Sequence, residues 1–132
     1  MAAFRQHDVD GVVAALAPDA ELVSPIVGRA VFRGEHDLRV LFGVLCSTLV
    51  DLRWRSVVGD GQVRVLFGRA RVAGPVVLED ALLVELAEDG RIQRLTPHLR
   101  PWLGATALAA RVLPAVLRHP RLARRALRRK PL

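Results

Sequence analysis

The chain has 132 residues, the length of one ordinary domain, and at that size roughly two thirds of the unfolded surface can be buried around a single core. Hydrophobic residues make up 52% and charged residues 25%, too apolar for a disordered chain and too interrupted by charge for long membrane spans. The net charge of +7 is confined to one end: residues 1–110 hold 12 Arg against 13 Asp and Glu, whereas residues 111–132 hold Arg111, Arg118, Arg121, Arg124, Arg125, Arg128, Arg129 and Lys130 with no acid.

No basic segment followed by an apolar run opens the chain, so neither a secretory signal nor a transit peptide is legible, and the expected location is cytoplasmic. The first element is a short helix over Asp8 to Leu16: Asp8 can cap its first turn, and Val9, Val12, Val13 and Leu16 recur at helical spacing. Pro18 blocks its continuation. Alternation predicts a strand at Ala20 to Ser24, a bend at Pro25 and Gly28, and a second short strand at Ala30 to Phe32, together a small hooked hairpin. From Glu35 to Leu49 the residues Leu38, Leu41, Phe42, Leu45 and Leu49 form one helical stripe that must be buried. Cys46, the single cysteine, lies in this helix and reads as a small buried hydrophobe in a reducing compartment.

After Asp51 the pattern changes to β-type runs: Leu52 to Val58, Val63 to Val72, Val76 to Leu86 and Ile92 to Leu99, separated by turns at Gly59-Asp60-Gly61, Gly74-Pro75 and Asp89-Gly90. Turns this short join antiparallel neighbours, so the four strands form a meander. Trp54, Val65 and Phe67 alternate with Arg53, Arg55, Arg64 and Arg69, as expected when one sheet face is wet and the other is covered by the preceding helices. The last stretch starts at Pro101-Trp102, is apolar from Leu103 to Leu117 and Arg-rich from Arg118 to Lys130. Pro114 and Pro120 predict two or three helical pieces in it. The division expected is a domain over residues 1–101 and a helical extension over 102–132.

The run from Phe4 through Asp8-Val-Asp-Gly to Leu22, the later Phe32-Arg-Gly, Glu88-Asp-Gly-Arg-Ile and Leu99-Arg-Pro resemble the nuclear transport factor 2-like superfamily, of the SnoaL-like kind, over residues 4 to 101. The resemblance implies an α+β cone: a curved antiparallel sheet with helices on its concave face enclosing a mostly apolar pocket. It also implies a homodimer joined through sheet faces. In that family a long first helix precedes the Asp-Val-Asp turn, and here only Ala2, Ala3 and Phe4 stand where its last turn belongs. Either the true start lies upstream, or the C-terminal helix supplies the missing cover.

The family holds ketosteroid isomerases, epoxide hydrolases, polyketide cyclases and pure binders, so the fold alone names no activity. The isomerase-like site needs a tyrosine and the epoxide hydrolase-like site a tyrosine and an asparagine; this chain has neither residue type. What remains resembles a cyclase-type acid and base pair, for which Asp80 and His98 are the candidates. Asp80 shares strand parity with Leu82, Val84 and Leu86, and a carboxylate desolvated among them has a raised pKa. His98 follows Ile92, Arg94 and Thr96, on a face that one bulge would reverse. Trp54 and Trp102 are candidates for a ligand-contacting indole, as is Ser24 at the hook, with Arg29 and Arg33 available to an anionic group at the same mouth. His7, His36, His98 and His119 lack metal-ligand spacing, and no phosphate loop, dinucleotide fingerprint or nucleophile elbow occurs, so no metal or cofactor is expected.

The expected function is binding of a small, mostly apolar organic molecule. The alternatives are proton-transfer catalysis by Asp80 and His98, and a noncatalytic interaction subunit. The tail can pack on the domain or on a second subunit, or lie in a membrane interface through residues 102–130; specific nucleic-acid binding is not expected, because the tail lacks interleaved aromatics.

Overall fold

The computed structural model describes residues 8–28 and 30–128. Helix α1 (Val9–Ala14) starts where Asp8 Oδ1 accepts the Gly11 amide at 2.9 Å. It ends two residues short of the predicted Leu16, because Leu16 opens strand β1 (Leu16–Val23). There the Ile92 amide donates to the Ala15 carbonyl at 2.9 Å and Leu16 pairs with Ile92. Pro18 is tolerated inside β1 because the register slips between Leu16 and Glu21, where no amide is asked of it. Strand β2 (Val31–Arg33) returns antiparallel and completes the hook, and helix α2 (Glu35–Thr48) buries Leu38, Leu41, Phe42 and Cys46 as its stripe requires.

Strands β3 (Val50–Val58), β4 (Val63–Ala73), β5 (Val76–Leu86) and β6 (Ile92–Arg100) form the antiparallel meander. The hook joins it through a parallel pairing of β1 with β6, giving one curved, unclosed six-stranded sheet in the order β2-β1-β6-β5-β4-β3. Parallel neighbours need a long connection, and here everything from β2 to β5 serves as one. The molecule is therefore an α+β cone with its helices on the inner face.

Helices α3 (Trp102–Leu117) and α4 (Pro120–Arg128) complete the inner layer. Pro114 does not break α3 as predicted: it is exposed, and its carbonyl still accepts the Arg118 amide at 3.2 Å. Pro120 does separate the helices, standing first in α4 where no amide is needed. Glycine at 104 lets α3 sit on the sheet, since a Cβ there would lie 2.4 Å from the Val77 carbonyl oxygen. Leu122 and Ala126 bring α4 into the same hydrophobic cluster as Leu22, Leu38, Phe42 and Leu82. A charged clamp fixes it: Arg125 Nη2 and Nε donate to Asp37 Oδ1 and Oδ2 at 2.6 and 3.1 Å, and Asp37 is buried in the first turn of α2.

Glu21 is likewise buried. Cross-strand neighbours set its partners, Arg33 on β2 and Arg94 on β6, the latter at 3.4 Å. Such a group is stable inside only when its charge is matched by hydrogen-bonded partners.

Candidate cavity site

Between the sheet and α1, α2, α3 and α4 lies a cavity of about 310 Å³. Strand alternation builds its floor: Gly68 and Ala70 on β4, Leu78, Asp80 and Leu82 on β5, and Leu95, Pro97 and Leu99 on β6 share the inner face. Helices supply the roof through Leu41, Phe42, Leu108, Val112, Val116 and Ala126. Exposed aliphatics mark the mouth, namely Ile26 on the hook, Leu113 and Leu117 on α3 and Leu127 on α4.

Asp80 is the carboxylate in this wall. Its Oδ1 accepts the His98 backbone amide at 3.1 Å, which fixes the group against β6. Burial pushes its pKa from 3.8 up to about 6, and the hydrogen bond from the His98 amide offsets only part of that rise. The group therefore changes charge close to neutral pH. Cys46 is also buried, and burial pushes its thiol up, away from a nucleophilic role.

The imidazole of His98 is not brought to Asp80. Leu99 pairs with Asp80 and shares its inner face, so alternation turns His98 outward, where it is exposed with Nδ1 3.2 Å from the Ala81 carbonyl oxygen. The two residues touch through the His98 backbone, and the imidazole acts on Asp80 only through its charge. Trp54 does line the cavity, its indole lying over Gly68 of the neighbouring strand; a Cβ at Gly68 would come within 2.7 Å of the ring. Trp102 does not line it. As the first residue of α3 it stands opposite the inward Gly104 and Leu108 and is 80% exposed. Ser24 is at the rim, and its hydroxyl accepts the Ile26 and Val27 amides at 3.2 and 3.1 Å, which shapes the hook. Arg33 pairs with Glu21 and is not among the lining residues, and Arg29 lies outside the described residues.

Sequence reasoning missed Arg69, which borders the cavity on β4 although it is exposed and its parity puts it with the outer residues, and the contribution of α4 through Ala123, Ala126 and Leu127. The second had a signal, since Leu122, Ala123, Ala126 and Leu127 recur at helical spacing between arginines. Among the described residues no three His, Cys, Asp or Glu side chains gather as a metal site would require.

Solved structures share this architecture. An uncharacterized bacterial protein with a cystatin-like fold from Silicibacter pomeroyi superposes with a TM-score of 0.83 at 23% identity, over 93% of this chain and 87% of that one. A steroid delta-isomerase from Pseudomonas aeruginosa gives 0.79 at 23% identity, over 91% and 88%. The epoxide hydrolase/cyclase-like enzyme SalBIII, described for pyran ring formation in the polyether salinomycin, gives 0.62 at 18% identity, over 74% and 81%. These likenesses speak to the fold. Among curated protein sequences none matches. The family model of the SnoaL-like domain matches residues 1–95, and with the cone described above this establishes that the chain belongs to the SnoaL-like domain family.

Proposed function

We propose that the chain binds a small, mostly apolar organic molecule in the cavity, with Asp80 as the polar anchor. The observation that carries this reading is the cavity itself, about 310 Å³ inside almost wholly apolar walls with one carboxyl, whose pKa burial raises toward 6. Such walls release water from hydrocarbon at about 25 cal/mol per Å² of apolar surface. Protonated, Asp80 donates to a ligand carbonyl; ionised, it accepts from a ligand hydroxyl. A steroid delta-isomerase among the structural relatives supports an organic ligand of this apolar kind.

A second reading, isomerase-like or cyclase-like proton transfer, is favoured by the same carboxyl, because a base that titrates near neutrality can take up and return a proton. In it Asp80 takes up and returns the proton, while the ring of His98, turned to the outer face, acts on that carboxyl through its charge and not through a hydrogen bond. An open cavity supports either reading over a purely noncatalytic interaction subunit.

The test is a titration with N-phenyl-1-naphthylamine, a probe that fluoresces in apolar surroundings. Ala70 is buried on the cavity floor, and Ala70→Leu places three further carbons in the void. The native protein is expected to saturate at one probe per chain, and the variant to bind at least about tenfold more weakly. Equal binding by the two proteins would overturn the reading.

The homodimer through sheet faces is proposed on the outer face, where Val58, Val63 and Phe67 are exposed beside half-buried Val65 and Leu83. Phe67→Glu puts a charge at the centre of that patch. Light scattering on a sizing column is expected to read two chains for the native protein and one for the variant; the same mass for both would remove the proposed interface. A cytoplasmic setting is supported by the unpaired thiol of Cys46.

A further inference from the structure

Helix α3 presents two apolar faces, of which the sheet accounts for one. Gly104, Leu108 and Val116 face the core, whereas Trp102, Leu103, Leu113 and Leu117 are 80%, 60%, 40% and 66% exposed. With Thr106 and Ala110, also exposed, they fall on one stripe at helical spacing, about 22 Å long. A stripe in water that is apolar but for one threonine marks an interaction surface.

Positive charge begins where the stripe ends. Arg118, His119, Arg121 and Arg125 line a groove of about 400 Å³ with His36 of α2, and Arg124 and Arg128 are exposed beyond it. Asp37 engages Arg125; α4 itself contains no acid. The cavity opens onto the same surface, because Leu113 and Leu117 belong both to the stripe and to the lining, with Leu127 and Ile26 beside them.

Taking the cavity as a ligand chamber, we infer that the outer face of α3 and α4 docks on an anionic phospholipid bilayer and that the cavity takes its apolar ligand from that bilayer. Trp102 and the leucines enter the boundary between headgroups and acyl chains, and the guanidinium groups take the lipid phosphates. The mouth then faces hydrocarbon, and an apolar molecule passes from bilayer to cavity without crossing water. Charge selects this occupant. A second copy of the chain would set one arginine cluster against another with no acid in α4 to match it, and a nucleic acid would match the arginines while leaving the stripe in water. No helix among the described residues is long and apolar enough to cross a membrane, so the contact is peripheral.

The test uses the full chain and two double variants whose residues lie outside the cavity wall, Trp102→Ser with Leu103→Ser and Arg121→Glu with Arg124→Glu. Each is mixed with vesicles of phosphatidylcholine alone and of phosphatidylcholine with about one third phosphatidylglycerol. The native protein is expected to co-sediment about ten- to a hundredfold more tightly with the anionic vesicles, and both variants to lose most of that binding. N-phenyl-1-naphthylamine preloaded in anionic vesicles should pass to the native protein at least about tenfold faster than to either variant, while all three bind it equally from vesicle-free buffer. Equal transfer by all three, no preference for anionic vesicles, self-association abolished by Trp102→Ser with Leu103→Ser, or tighter binding to duplex DNA than to vesicles would each overturn the inference. A native protein that ignores the probe in buffer would instead sink the chamber reading, and co-sedimentation would still decide the docking face.

Discussion

Asp80→Asn is expected to raise the stability of the protein by about 2–3 kcal/mol above neutral pH and to leave it unchanged under acid conditions. Burial holds the folded carboxyl at about 6 against 3.8 for a free one, so between those values the native state keeps a proton that the unfolded chain has released. Stability from this group is therefore fully present below about pH 4 and is lost as the pH rises through 6. Asparagine carries no such charge, keeps an oxygen for the His98 amide, and removes the loss. Urea unfolding of both proteins from pH 3.5 to 8 should give curves that coincide at the acid end and separate steadily to a plateau above 6. Parallel curves with a constant offset would mean that Asp80 is solvated and that the cavity wall is wetter than described. The same substitution should abolish turnover on ketones and polyketide mimics if the proton-transfer reading holds, and should weaken simple binding only slightly.

Arg125→Ala is expected to release α4. The helix is held by Leu122 and Ala126 in the core and by the fork of Arg125 on Asp37, a carboxylate that is only 3% exposed. A carboxylate that loses its cation in such a place is driven toward water, and water enters where the guanidinium stood. The same opening removes Ala123, Ala126 and Leu127 from the cavity wall. Trypsin cuts after arginine, and α4 offers Arg121, Arg124 and Arg128, so cleavage there should be at least about tenfold faster in the variant while the sheet stays protected. Probe binding should fall with it. Arg125→Lys, which keeps the charge without the fork, should lie between the two. Unchanged cleavage would mean that the hydrophobic contacts of α4 suffice and that the clamp is idle.

The sheet was legible because each β-run ends in residues that turn the chain, and because Asp51 closes a helical period and opens an alternating one. Gly59, Gly61, Gly74 and Gly90 all take positive φ at those turns, where glycine is free to go. Asp80 was legible for the same reason, since parity with Leu82 and Val84 fixes its face once that face is known to be covered. Parity served less well for His98. The count from Ile92 gives its alternation, but only the pairing of Asp80 with Leu99 says which side is inner, and pairing is a property of two strands. The clamp was hidden more deeply. Asp37 reads as a polar residue on the wet side of a helix, and nothing local reports a partner 88 residues away. Trp102 misled because a large indole is equally at home in a pocket, a core or an interface; only the phase of α3, set by Gly104 against the Val77 carbonyl, turns it outward.

Trp54 gives the most direct access to the central claim, because it is a wall of the chamber and the other indole, Trp102, can be silenced by Trp102→Phe without touching that wall. In that background, titration with N-phenyl-1-naphthylamine should quench Trp54 emission saturably at one equivalent through energy transfer, with Ala70→Leu removing the effect. Trp54 emission that falls only in proportion to added probe, or that the filled cavity leaves unchanged, would contradict a ligand chamber beneath the sheet.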